Sequence, residues 1–172
     1  PYAHMVISPY PREYESTFRM KNGQEARLRP IRPEDEPIEA EMFAAFSEDT
    51  KRFRFMGPLK DVSHEMLIRY TQIDYDREIA IIAELSEDGW QKMAGVVRLI
   101  ADPYNETAEY AIVVADPWQG QGLGTRLTEV ILEIAQQRGI QVVYAYVLED
   151  NAGMLHLFKK FGFKFRKEQE MF

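Results

Sequence analysis

Apolar residues recur along the chain with two periods. After Pro33, Glu34, Asp35 and Glu36, the residues Ile38, Met42, Phe43 and Phe46 return every three or four positions, which predicts a helix. Proline tolerates a first helical turn, and acids suit the positive end of the helix dipole. Upstream, Glu25 to Ile31 alternates loosely and reads as a short strand. Ser47 to Pro58 reads as loop plus a short turn. Ser63 is placed to cap a second helix with Met66, Leu67 and Tyr70 inward. The pattern then becomes that of strands: Ile79 to Leu85, Met93 to Ile100 and Ala108 to Val114. Glu87-Asp88-Gly89 signals a hairpin between the first two, and Asp102 to Asn105 turns the chain before the third. Leu123, Leu127, Val130, Ile131, Ile134 and Ala135 restore helical spacing to about Arg138, and Gly139 ends that helix. Val142 to Leu148 is an apolar run short enough for a buried strand. Asn151 would cap a last helix carrying Leu155, Phe158 and Phe161 on one face, closed by Gly162. Phe163 to Phe165 would start a strand with a missing or very short partner. This order of elements predicts a mixed α/β sheet.

Residues 1–24 hold three of the nine prolines, with Tyr10 and Tyr14 among polar residues, and are expected to form an extended lead-in, not a packed element. His4-Met5 reads as a possible cloning scar, and the folded domain is expected over 25–172, excised from a longer chain with a neighbour upstream. A length of 172 residues suits one domain. The chain has no cysteine, which excludes thiol nucleophiles, disulfides and cysteine–zinc sites and fits a cytoplasmic protein. No apolar run approaches the roughly 18 residues of a membrane span. The formal charge is −7 and no basic stripe is visible, so nucleic acid is not an expected partner. Lys51, Arg52 and Arg54 form the only basic knot, read as a solvated loop. An acidic surface favours a cationic partner such as an amine or a lysine side chain.

The chemistry concentrates in DPWQGQGLGTRL, Asp116 to Leu127, where Gly120, Gly122 and Gly124 alternate between a strand and a helix. The first amides of a helix lack intrahelical partners, and the dipole adds partial positive charge there. Glycines let a ligand reach those amides without striking a Cβ, so the stretch suits an anion, most naturally a diphosphate. It fits neither common nucleotide motif. The dinucleotide fingerprint needs G-x-G-x-x-G in a parallel unit, and the P-loop needs Gly-Lys-Ser/Thr, whereas Gly124 is followed by Thr125 and Arg126. A glycine-rich turn with no ligand is the alternative.

Gln119-Gly120-Gln121-Gly122-Leu123-Gly124 resembles the acetyl-CoA motif of the GNAT superfamily of N-acetyltransferases, Gln/Arg-x-x-Gly-x-Gly/Ala. LEDNAGMLHLFKKFGF, Leu148 to Phe163, is similar to that family's second motif. The resemblance covers about residues 25–172. It implies a GNAT fold: a mixed central sheet of about six to seven strands flanked by about four helices, splayed at the cofactor. RPEDEP, FRFMGPLKDVSHEM and TQIDYDRE further resemble the acetyltransferase domain joined to acyl-CoA-synthetase-like modules in bacterial protein lysine acetyltransferases. By this resemblance the co-substrate is acetyl-CoA, with no metal. The amides of Gln119, Gly120, Gln121, Gly122, Leu123, Gly124 and Thr125 would hold the pyrophosphate. The main chain of Val113 and Val114 would pair with the pantetheine arm, and Asn151 and Phe158 would lie near it. Asn151 could equally be a helix cap.

Transfer to an amine needs a neutral nucleophile. Glu109, opening the strand that runs to the glycine turn, is the expected general base; a strand-end surface glutamate is the alternative. Asp74 and Asp76 are rivals, though turns hold acids for ordinary reasons. Many relatives carry a thiolate-protonating tyrosine where this chain has Phe158. Tyr144, Tyr146 or a water would take that role, or no acid is needed. His156 reads as solvated. The expected acceptor is a protein lysine; the alternatives are a small-molecule amine and a non-catalytic acyl-CoA sensor.

Overall fold

The computed structural model describes residues 10–56 and 63–168. In chain order these residues form β1 (Ser16–Arg19), β2 (Glu25–Pro30), α1 (Glu36–Ala44), α2 (Glu48–Phe55), α3 (His64–Thr71), β3 (Glu78–Glu87), β4 (Trp90–Ala101), β5 (Thr107–Val114), α4 (Leu123–Gln137), β6 (Val142–Tyr144) and α5 (Ala152–Lys160). The six strands make one sheet in sequence order. Every neighbouring pair is antiparallel except β5 and β6, which run parallel across the α4 connection. This is the mixed sheet that the resemblance implied, with six strands, and with five helices where about four were expected.

The period-two alternation of β3 sends Ile79, Ile81, Ala83 and Leu85 to one face and Ala80 and Ile82 to the other. On the first face they meet α4, whose Leu123, Leu127, Ile131 and Ile134 return at spacings of four and three and are almost fully buried. Each such side chain contributes about 1.5–3 kcal/mol on leaving water. On the second face Met42 and Phe43 of α1 and Leu67 of α3 cover Val96 and Val113.

The lead-in was expected to be unpacked, but its described part, from Tyr10 onward, is packed. β1 pairs with β2 from Ser16–Leu28 to Arg19–Glu25, Met20 is buried, and the Tyr10 hydroxyl donates to the Pro30 carbonyl at 2.8 Å. Residues 1–9, including the suspected scar, lie outside the described residues.

Three other expectations change. The loop expected from Ser47 is the helix α2 up to Phe55, capped where Ser47 Oγ accepts from the Thr50 amide at 3.2 Å. Residues 57 and 58 of that stretch lie outside the described residues. The basic knot therefore sits on a helix. The run Val142 to Leu148 yields only the three paired residues of β6; Val143, Ala145 and Val147 pack on the α4 side while Val142, Tyr144 and Tyr146 are exposed. The α4 cluster covers one face of this run, and the α1–α3 cluster takes no residue from it. Phe163 to Phe165 forms no strand among the described residues; both aromatic rings gather around Phe158 instead.

Candidate functional site

The glycine turn begins where β5 stops at Val114. After one 3₁₀ turn at Asp116–Trp118, Gly120 and Gly122 adopt φ of 75° and 86°, the left-handed region open to glycine at no steric cost. Gly122 is the N-cap of α4 and offers no side chain to the helix amides. Among the described residues, the amides of Gly120 to Thr125 donate to no protein group; Arg126 is the first in the helix with a partner, the Gly122 carbonyl at 3.1 Å. A Cβ placed at Gly120 would meet nothing within 4 Å. At Gly122 it would meet Phe18 Cζ at 3.6 Å and Lys21 Cε at 3.8 Å. The mouth of α4 is therefore an open cradle of free N–H groups with the dipole behind them, bordered on one side by Phe18 and Lys21. That arrangement suits a phosphate.

Residues remote in sequence hold the turn. Gln119 Nε2 donates to the Val114 carbonyl at 2.9 Å and to Thr50 Oγ1 at 3.3 Å. The Asp116 carboxylate accepts from the Ser47 amide, the Ser47 hydroxyl and the Thr50 hydroxyl at 3.0, 2.7 and 2.8 Å, joining the start of α2 to the turn. Slight burial pushes its carboxyl up, but these bonds outweigh that and hold it below the usual carboxylate range. From the β1–β2 side, the Lys21 amide donates to the Gln121 carbonyl at 3.0 Å and Trp118 Nε1 donates to Gln24 Oε1 at 3.3 Å. From below, Thr128 Oγ1 donates to the Gly124 carbonyl at 2.8 Å. Its proton being used there, it accepts from the Tyr110 hydroxyl at 2.6 Å.

The pairing of β5 with β6 stops early. It joins Thr107, Ala108 and Glu109 to Val142, Val143 and Tyr144, and no further. From Tyr110 to Val114 the edge of β5 toward β6 has no partner strand among the described residues, and that edge leads to the glycine turn. Behind it, Gly95 of β4 stands so close that a Cβ there would lie 3.0 Å from the Val113 carbonyl and 3.4 Å from Leu127 Cδ1.

Glu109 is the last paired residue before this opening. It is half-buried and lies between Ile100 of β4 and Tyr144 of β6. By register its side chain shares the α1–α3 face with Val113 and Arg98. Partial burial, and after it the Glu109 charge, push the Tyr144 phenol up. Val113 is buried and the Val114 carbonyl already accepts from Gln119, leaving its second lone pair. Asp74 and Asp76 sit exposed in the turn before β3, where Asp74 accepts from the Asp76 amide at 3.0 Å. Asn151 caps α5, accepting from the Met154 amide at 3.2 Å. Phe158 is a core residue, 3% exposed, with its ring 5.7 Å from Tyr110 and 4.8 Å from Phe163. His156 is exposed. Arg52 of the basic knot spans from α2 to Asp150, before α5, at 2.7 Å.

Sequence reasoning assembled the glycines, β5 and Glu109. It missed Phe18, Lys21, Thr50 and Asp116, whose roles depend on tertiary contacts between segments far apart in sequence. A cavity of about 500 Å³ lined by Tyr10, Arg32 and Tyr75 among others shares no residue with the turn. Among the described residues no three His, Asp or Glu side chains gather to hold a metal, and no helix is long and apolar enough to cross a membrane.

Comparison with known proteins identifies the family. A family model for the acetyltransferase (GNAT) family matches residues 40–163. An acetyltransferase of Pseudomonas aeruginosa is 31% identical over 144 residues, covering 84% of this chain and 77% of that one. The acetyltransferase Pat of Mycolicibacterium smegmatis is 27% identical over 158 residues, and this chain spans only 44% of its length. The crystal structure of the GNAT domain of S. lividans PAT superposes with a TM-score of 0.83 at 27% identity, covering 94% of both chains. The chain belongs to the GNAT family of acetyltransferases and is an acetyl-CoA-dependent N-acetyltransferase.

Proposed function

We propose that this domain transfers acetyl from acetyl-CoA to the side-chain amine of a protein lysine in the cytoplasm, with Glu109 as general base. The observation that carries this reading is the continuity of two unsatisfied backbone surfaces. The open edge of β5 runs from beside Glu109 into the free amides of Gly120 to Thr125. A diphosphate suits the amides, and an extended amide-bearing arm suits the edge. The likeness to Pat and to the S. lividans PAT domain supports a protein acceptor. A neighbouring domain in the native chain belongs to the same proposal.

Acetyl-CoA supplies the acyl group as a thioester whose thiol, with a pKa near 8.5, makes a tolerable leaving group. The difficulty lies with the lysine. Its amine, with a pKa near 10.4, costs roughly 4.6 kcal/mol to present neutral at pH 7, at about 1.36 kcal/mol per unit. Glu109 offsets part of that by taking the proton as the nitrogen attacks: the C–N bond forms, the C–S bond breaks, and the thiolate departs. Its position on a sheet residue, held by pairing on both sides, fixes its backbone. Thiolate protonation falls to water or to Tyr144 or Tyr146, since Phe158 has no proton to give.

Two measurements test the reading. Glu109→Gln should keep CoA affinity and lose turnover by on the order of 10²-fold; unchanged turnover between pH 6 and 9 would remove Glu109 from the mechanism. Labelled acetyl-CoA with a cell lysate should place label in protein lysines. Label confined to small amines would assign a small-molecule acceptor instead.

A further inference from the structure

We propose that Lys21, in the β1–β2 turn, is a cofactor-binding residue whose ammonium neutralises the pyrophosphate of acetyl-CoA. The inference rests on the reading of the glycine turn as the pyrophosphate cradle. It adds a side chain from a segment outside both family motifs.

Three contacts bring the hairpin to the cradle. The Lys21 amide donates to the Gln121 carbonyl at 3.0 Å, and Gln24 accepts from Trp118 at 3.3 Å. Phe18 and Lys21 flank the space above Gly122, with Lys21 Cε 3.8 Å from the point where a Cβ would sit. The hairpin is itself fixed, since the Gly23 amide donates to the Met20 carbonyl and the Gln24 amide to Asn22 Oδ1, each at 2.9 Å. The lysine stem thus lies beside the same amides that face a phosphate.

Its charge is available. Arg126, in the first turn of α4, is paired with Glu129 at 3.1 Å, and Arg19 with Glu25 at 3.8 Å. Lys21 is exposed and has no ion pair among the described residues. In a chain of net charge −7, an unpaired ammonium at the mouth of a helix offsets the repulsion a polyanion would otherwise meet. A flexible lysine serves here as a point charge, the way lysine commonly meets phosphate.

Lys21→Ala, Lys21→Gln and Lys21→Arg keep the main-chain bond to Gln121, so the turn itself stays anchored. Calorimetry with CoA and with 3′-dephospho-CoA should show Lys21→Ala and Lys21→Gln weakening both ligands alike, by about tenfold, with Lys21→Arg close to the parent. The salt dependence of binding should become shallower for Lys21→Ala. In turnover, KM for acetyl-CoA should rise at unchanged kcat, the mark of a contact equal in ground and transition states. Equal affinity of parent and Lys21→Ala would overturn the inference while leaving the cradle intact. A loss seen with CoA alone would overturn the pyrophosphate assignment in favour of the 3′-phosphate. A parent protein that binds neither ligand would sink the cradle reading itself.

Discussion

The two faces of the sheet are built on different principles. Under α4 and α5 the core is apolar; its buried polar contacts are neutral, the Tyr110–Thr128–Gly124 chain and the Asn151 cap of α5. Under α1 and α3 lies a smaller apolar cluster, and among the described residues every buried charge is on that side: Arg29, Asp35, Glu84, Glu39 and Arg98. Even these charges divide by geometry. Arg29 grips Asp35 with two bonds of 2.8 and 2.6 Å and Glu84 with two of 2.9 and 2.6 Å. Burial alone would push its guanidinium down; the bonds to both carboxylates outweigh that and hold it up. Arg98 meets Glu39 only at 3.4 Å, and spends its best bond, 2.7 Å, on the Tyr70 carbonyl. There burial wins over the Arg98 charge and pushes the Glu39 carboxyl up to about 7. The lesson is that an interior pair is held by bond geometry, not by opposite sign.

The sharpest way to break the comparison is Arg29→Met, which strands two carboxylates in the core. It should cost about 3–5 kcal/mol in chemical denaturation, partly recovered when Asp35→Asn is added. If the single variant proved neutral, the tight triad would be no better held than the loose pair. The next effect is a pH slope. Glu39 keeps its proton to higher pH in the folded chain than at its ordinary 4.5, so the folded state binds more protons between about 4.5 and 7. Stability from this group is full below that window and falls as pH rises through it, by about 3 kcal/mol at most at 1.36 per unit. Glu39→Gln should flatten the slope; identical pH curves for the two proteins would refute the assignment. The smallest effect belongs to the neutral face. Tyr110→Phe removes one hydroxyl and leaves Thr128 bonded to Gly124, so midpoint shifts should correspond to about 1 kcal/mol.

How far the sequence could be read follows the same division. Elements that bury a periodic stripe announced themselves: α4 by Leu123, Leu127, Ile131 and Ile134, and β3 to β5 by alternation. The glycine turn was readable because its backbone demands are local. α2 was not. Its EDTKRFRF is mostly charged and buries little, and the helix depends on Asp116, sixty-six residues beyond Thr50, for its anchoring. β1 was hidden for a like reason, since four residues become a strand only when β2 lies alongside. The charged interior was invisible because a carboxylate in sequence looks the same whether it meets water or an arginine.

Gly95 carries a final consequence. It stands in β4 opposite Val114, and a methyl group there would press on the Val113 carbonyl and crowd Leu127. Position 95 is therefore tight from behind: an added methyl group asks the Val113 carbonyl to give by a few tenths of an ångström. A larger residue at 95 therefore acts on the open edge of β5 through the Val113 carbonyl, from the side of the strand opposite β6.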